Sequence, residues 1–297
     1  MRTVLLLLTG LSLVAAGSPP AAKKDEAPAS LRVAAVQMRS KPDLDANVTH
    51  TIALLEKCAA DRADVAVFPE CNVSGYFDDY VKKLTAKQLA KAEDDLCRAC
   101  KRLGIWAVVG VPVREDGKLY NSAVVIDSGG KVRERYHKVQ LAEAWPDPGD
   151  HLSVFRVKGV PCSIIICHDE RYPELVRLPV LAGARVIFYL SHESPITQEH
   201  KLAPYRAQIQ ARAVENSVFV AHANAPANAD ATGSHGQSRL IDPDGNLIKE
   251  ASTFQEEVLI ATLELKRAHA GNALRSVSRG PLGDWWKDGV KRVKQID

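Results

Sequence analysis

Three side chains suited to nucleophilic acyl chemistry stand at the ends of apolar runs: Glu70 closes VAVFPE, Lys138 closes KVRERYHK and Cys167 closes PCSIIIC. In a wound α/β sheet, ligands gather at the carboxyl ends of strands, so chemistry is expected at these three positions. A cysteine at the turn from a buried strand into a helix has backbone N–H groups and the positive end of the helix dipole close by, which favours thiolate. Glu70 follows an apolar run and Pro69, a setting that half-buries the carboxyl and raises its pKa toward that of a general base. Lys138 supplies fixed positive charge where a tetrahedral oxyanion forms. His168 tempts one toward a Cys/His pair, but adjacent side chains diverge, so His168 is expected to lend its backbone N–H rather than its ring.

Elements able to hold these groups follow from the patterning between Leu31 and Leu265. Strand LRVAAVQM leads into a helix over about Asp45 to Arg62, with Val48, Ile52, Leu55 and Ala59 inward; strand VAVFPE follows. Thr85 and Gln88 form a capping box for a second helix, in which Leu89, Leu96, Cys100 and Leu103 recur at helical spacing. Strands IWAVVGVPV, YNSAVVID and KVRERYHK make the middle of the chain strand-rich. Strand PCSIIIC then runs into helix ERYPELVRLPVLAGA and strand VIFYLS, repeating the earlier order, which suggests two related halves. A helix near Pro204 to Asn216, strand SVFVAHA and the β-rich segment GQSRLID, LIKEAS and VLIATLEL complete the pattern. No linker divides this span, so it reads as one α/β domain over 31–270, with a Trp-containing tail over 271–297 suited to a subunit interface.

Composition narrows the class. The chain has 297 residues, 46% hydrophobic and 25% charged, which excludes a disordered chain, a collagen-like chain and a disulfide-dense miniprotein. Its net charge of +3 is not gathered into blocks, so there is no nucleic-acid footprint. The start MRTVLLLLTGLSLVAAG pairs one Arg with a short apolar run and small residues, the pattern of a cleavable signal peptide over 1–17 rather than a membrane span. A Pro/Ala/charge-rich tether over 18–30 follows, and the protein is expected to be exported. Six cysteines in an oxidising compartment invite three disulfides, but the spacing argues against them. Cys100 lies on a helix face, Cys58, Cys71 and Cys162 sit in apolar or strand-like surroundings, and nothing completes a zinc site around Cys97 and Cys100. No metal is expected.

Glu70 in VAVFPEC, Lys138 in YHKVQL and Cys167 in IIICHDERYPEL, in that order and at these separations, resemble the Glu, Lys, Cys set of the nitrilase superfamily of carbon–nitrogen hydrolases. The resemblance runs from AVQM through RAVENSVFVAHAN to GQSRLIDPDGNLI. It implies a four-layer α-β-β-α sandwich of two similar halves, needing no metal or organic cofactor. It also implies a mechanism: Glu70 takes the thiol proton of Cys167 as sulfur attacks an amide, a thioacyl-enzyme forms, and water activated by Glu70 releases the acid. Lys138 and the His168 backbone N–H hold the oxyanion. A second glutamate often precedes the cysteine in this family, and Glu143 matches it, orienting Lys138 or the substrate.

In the superfamily the segment after the strand VIFYLS lines the pocket, which places His192 and Glu193 there; Tyr76 and Trp145 are candidates for aromatic walls. These residues suggest a small polar or amine-bearing amide or N-carbamoyl compound, with Glu193 meeting positive charge. The plainer alternative is that Glu193 is a solvated loop residue or pairs with Arg171 or Arg206. Acyl transfer to an amine, nitrile hydrolysis and a non-catalytic binding protein stand as competing functions. A homodimer or larger assembly is expected from the resemblance and from Trp285 and Trp286.

Overall fold

The computed structural model describes residues 28–196 and 202–286. The expected signal peptide, most of the expected tether and the last residues of the expected tail lie outside the described residues. The first half of the chain gives β1 (Ser30–Gln37), β2 (Val65–Val67), β3 (Trp106–Glu115), β4 (Lys118–Ile126) and β5 (Val132–His137). The second gives β6 (Phe155–Val157), β7 (Val160–Ile166), β8 (Val186–Ser191), β9 (Phe219–Asn224), β10 (Arg239–Ile241) and β11 (Leu247–Glu250); β12 (Glu257–Glu264) returns to the first sheet. Helices α1 (Leu44–Ala60), α2 (Asp78–Val81), α3 (Ala86–Leu103), α4 (Glu174–Leu181), α5 (Leu202–Val214), α6 (Gly271–Ser278) and α7 (Leu282–Trp285) connect and flank them.

The two sheets run β12-β1-β2-β3-β4-β5 and β11-β10-β9-β8-β7-β6. Each has three parallel strands, β1, β2 and β3 or β7, β8 and β9, with antiparallel partners on both sides. Read from β12 and from β6, the two sheets show the same succession of antiparallel and parallel pairings, which gives the suspected repeat a structural form. The sheets are mixed rather than purely parallel. Because β5 lies two antiparallel steps from β3, it runs in the same direction, and its carboxyl end reaches the same rim as that of β2.

Alternate side chains along each strand build separate cores. Val33, Ala35, Val65 and Val67 of the first sheet meet Ile164, Ile166, Phe188 and Leu190 of the second between the sheets. Ala34, Val36, Ala66 and Phe68 point the other way, onto Leu55 of α1 and Leu89 and Leu96 of α3. Ile165, Ile187 and Val220 cover Val176 of α4, Ile209 of α5 and Ala273 of α6. Four layers result, α-β-β-α, and both faces of each central strand are buried, which is why those strands read as continuous apolar runs. Each fully buried aliphatic side chain contributes about 1.5–3 kcal/mol to this packing.

Local signals set the helices. Asp43 caps α1 by accepting from Ala46 N, and Thr85 with Gln88 forms the expected capping box on α3, which ends at Gly104 in the left-handed region. All six cysteines are free thiols, with Cys58, Cys71, Cys100 and Cys162 buried.

Two glycines let the backbone close around the rim. A Cβ at Gly110 on β3 collides with the backbone of Pro69 and Cys71, which flank Glu70, and one at Gly149 collides with the backbone of His137, next to Lys138. Gly110→Ala is therefore expected to displace Glu70, lowering kcat/KM at least about tenfold and stability by about 1–3 kcal/mol. Kinetics with thermal unfolding checks this.

Candidate active site

Glu70, just past β2, is carried by a turn in which Phe68 N–H still bonds Val108 O at 2.9 Å and Glu70 N–H bonds Ser191 O of the other sheet at 3.3 Å. Lys138 is the residue after β5 and bonds Asn121 O through its N–H at 2.8 Å. The loop that follows brings Glu143 back over it, closed by Gly149 N–H to Lys138 O at 2.9 Å. Cys167 begins a short 3-10 turn, Cys167–Arg171, directly after β7. Its φ of 42° is in the left-handed region, as is the φ of 50° at Cys71 beside Glu70. Non-glycine residues there store strain that the surrounding structure must hold.

The charged groups form one buried cluster. Lys138 Nζ lies 2.8 Å from Glu70 Oε1 and 2.6 Å from Glu143 Oε1, with all three side chains almost fully enclosed. Asn121 Nδ2 donates to the same two oxygens at 2.7 and 3.1 Å, and Tyr76 OH donates to Glu143 Oε1 at 2.5 Å. Glu70 Oε2 accepts the backbone N–H of His192 at 2.9 Å. Burial pushes the Glu70 carboxyl up to about 7 despite the Lys138 ammonium. Burial also works against the charge on Glu143, but Lys138 and the Tyr76 hydroxyl outweigh it and hold that carboxyl at about 2. Two carboxylates sharing one cation are thus driven apart, one into the range of a neutral-pH base and one locked as an anion.

Cys167 differs from its expected state. The helix α4 starts only at Glu174, so no extended helix dipole acts on the sulfur. Burial, followed by the Glu70 charge, raises the thiol well above its ordinary value, with Lys138 pulling the other way. The resting group is a thiol that must lose its proton as it reacts.

Cys167 opens onto a cavity of about 570 Å³, also lined by Tyr76, His168, Arg171, His192 and Tyr205. Tyr76 and His192 stack with ring centroids 4.7 Å apart. Burial lowers the His192 imidazole to about 4, so it is neutral. Burial, then Arg171, likewise lowers His168.

Two expectations about the walls are corrected. Trp145 does not line the cavity; it is buried against Cys71, Val81 and Leu119, with Tyr76 packed on that cluster, so it backs one wall from behind. Glu193 is neither solvated nor paired with Arg171 or Arg206. It is 2% exposed, its Oε2 lies 2.6 Å from His235 Nε2, and its Oε1 accepts from Tyr189 OH at 2.9 Å. Arg206 pairs with Glu250 at 2.6 Å and Arg171 bonds Tyr205 OH at 3.2 Å. Glu193 does line the cavity, as expected, but its carboxylate is engaged by His235 and Tyr189 rather than by solvent or arginine.

Sequence reading missed Asn121, which binds both carboxylates, and Asp169, which ties the lysine loop to the cysteine turn. Asp169 accepts from Tyr136 OH at 2.8 Å, Gln140 N at 2.8 Å and Ile166 N at 3.0 Å. The available signal for Asn121 was an amide inside the apolar strand YNSAVVID, where a buried polar group needs partners.

The family described as Carbon-nitrogen hydrolase matches residues 32–272. Among curated relatives, the chain is 29% identical over 228 residues to a 2-oxoglutaramate amidase of Bacillus subtilis, covering 75% of this chain and 86% of that one. It is 27% identical over 257 residues to an omega-amidase of Mus musculus, covering 80% and 90%. Among solved structures, an amidase from Nesterenkonia sp. superposes with a TM-score of 0.73 at 25% identity over 82% of this chain and 95% of that one. A member of branch 10 of the nitrilase superfamily from Saccharomyces cerevisiae superposes with a TM-score of 0.76 at 25% identity over 84% and 96%. With the sandwich and the match over nearly all of its described length, the chain belongs to the carbon-nitrogen hydrolase family of the nitrilase superfamily and is an amidase-like enzyme.

Proposed function

We propose that the chain hydrolyses a small amide bearing a carboxylate, through a thioacyl-enzyme on Cys167, releasing ammonia and a carboxylic acid. The observation that carries the reaction is the cluster in which Lys138 and Asn121 bind both Glu70 and Glu143 beside the thiol at the cavity. Glu70 accepts the thiol proton as sulfur bonds to the amide carbon, and returns it to the departing nitrogen. Lys138, fixed as a cation between two carboxylates, stabilises the oxyanion with the His168 backbone N–H. Water, deprotonated by Glu70, then cleaves the thioester, and the proton returns to the sulfur. Glu143 stays ionised and holds Lys138 in place.

The carboxylate preference rests on charge at the cavity wall. Glu193 is engaged by His235 and Tyr189, whereas the Arg171 guanidinium lies against the Tyr205 ring, 5.3 Å from its centroid, and lines the cavity. The relatives named above as acting on 2-oxoglutaramate or omega-amides support this reading over the amine-bearing substrate expected from the sequence. The reading also keeps the chain exported and self-associating, through exposed Leu178 of α4, Leu274 of α6 and Leu282, Trp285 and Trp286 at α7.

The test is ammonia release over monoamides of dicarboxylic acids, neutral amides of equal length, N-carbamoyl compounds and nitriles. Carboxylate-bearing amides are expected to be best, and Arg171→Met to raise their KM about tenfold or more while leaving neutral amides unchanged. Because Glu70 must be ionised to act, kcat/KM is expected to rise with pH through about 7, with no second rise from thiol ionisation below pH 9. Equal loss on neutral amides removes Arg171 as the carboxylate receptor, and a profile flat from pH 5 to 9 removes Glu70 as the base.

A further inference from the structure

The backbone of one residue, His192, touches both reacting groups through two successive peptides. His192 gives its backbone N–H to Glu70 Oε2 at 2.9 Å, and its carbonyl oxygen lies 4.0 Å from Cys167 Sγ. The Ser191–His192 peptide ends β8 and its carbonyl accepts Glu70 N–H at 3.3 Å, whereas the His192–Glu193 peptide lies past the last strand pair, Ser191 with Asn224, and is held by Glu193. Its N–H bonds Asn224 Oδ1 at 3.2 Å, its Oε1 accepts from Tyr189 OH, and its Oε2 faces His235 Nε2 at 2.6 Å. The Tyr189 hydroxyl also lies 3.4 Å from the carbonyl of Cys167, and His235 Nδ1 lies 3.0 Å from the carbonyl of Ser194. His235 is thus set between two acceptors, the Glu193 carboxylate and the Ser194 carbonyl. Glu193, Tyr189, His222 and His235 are all buried, and Tyr189 links the cluster to the Cys167 backbone.

We propose that Glu193, through its pair with His235 and its bond to Tyr189, is a positioning residue that fixes the backbone of His192 and thereby the approach of Glu70 to Cys167. The proposal rests on the cysteine mechanism above, and it assigns Glu193 no contact with substrate. The groups acting on Glu193 are Tyr189, His222, His235, Glu170 and Arg239; those acting on Glu70 are Lys138, Glu143, Asn121, the His192 N–H and Cys167. A loosened His192 N–H stabilises the Glu70 carboxylate less, so the base should ionise at higher pH.

The experiment compares Glu193→Gln with the parent and Cys167→Ala on a neutral and a cationic amide across pH. Expected for Glu193→Gln is a fall in kcat of about 10- to 100-fold on both amides, KM within about twofold, and an acid limb of kcat/KM displaced to higher pH. An unchanged kcat, or a lowered kcat with the limb unmoved, overturns the positioning role while an inactive Cys167→Ala leaves the mechanism standing. A loss confined to KM for the cationic amide overturns it in favour of direct contact. Activity surviving in Cys167→Ala overturns the mechanism on which it rests. Should Glu193→Gln not fold, Tyr189→Phe carries the test: a smaller fall in kcat with the limb moved the same way supports the proposal, and parent-like kinetics overturn it.

Discussion

Replacing Cys167 by alanine is expected to lower kcat for amide hydrolysis about 10⁴-fold or more while the chain stays folded. In the proposed mechanism the sulfur is the atom that bonds to the substrate carbon, and among the described residues no other thiol lines the cavity. The structural cost is small because only one sulfur is removed and the strained φ is held by its neighbours, so circular dichroism and the unfolding midpoint should stay close to the parent. Cys97→Ala is the matched control. That thiol sits on α3, raised to about 11 by burial and by Glu93, far in sequence and fold from the rim, and its loss should leave kcat unchanged. Ammonia release and circular dichroism on the two variants decide the matter.

The second large effect is expected from Lys138→Met, which should abolish measurable turnover and also destabilise the fold. The ammonium is the only cation bonded to both Glu70 and Glu143 among the described contacts. Removing it leaves two buried carboxyls facing one another, a change that costs about 3–5 kcal/mol when both are ionised. The sign of the pH dependence follows. Without Lys138 both carboxyls ionise above their unfolded-state pKa, so the folded state binds more protons than the unfolded one and stability rises as pH falls. In the parent, Glu143 held at about 2 contributes in the opposite sense, with stability present above its unfolded pKa and lost as pH falls toward 2. Urea unfolding at pH 8 and pH 5 should show a larger deficit at pH 8. An equal deficit at both would mean that packing, rather than charge, is what the lysine supplies.

Much of this was legible in the sequence because strands buried on both faces announce themselves as apolar runs, and a charged residue closing such a run has few structural excuses. Glu70, Lys138 and Cys167 were singled out that way, and the repeated strand order foretold two similar sheets. What stayed hidden depended on pairing between distant segments. Asn121 matters because β4 pairs with β3 at Pro112 and so sits over the Glu70 turn, a register no local pattern shows. Glu193 was misread because its partner His235 arrives from the loop before β10. Trp145 was misplaced by one layer, since adjacency to Glu143 does not say which side of the loop an indole takes. The cysteine's ionisation was misjudged because the strand was assumed to feed a long helix, whereas a 3-10 turn intervenes.

The central claim is that carbon–nitrogen cleavage passes through an acyl group on Cys167. Intact-mass spectrometry of enzyme quenched in acid during turnover of a good amide, followed by peptide mapping, tests it directly. The account predicts a mass increase equal to the acyl group, located on Cys167 and absent from Cys167→Ala. Rapid ammonia release with no adduct on the parent, or turnover that survives in Cys167→Ala, would contradict it.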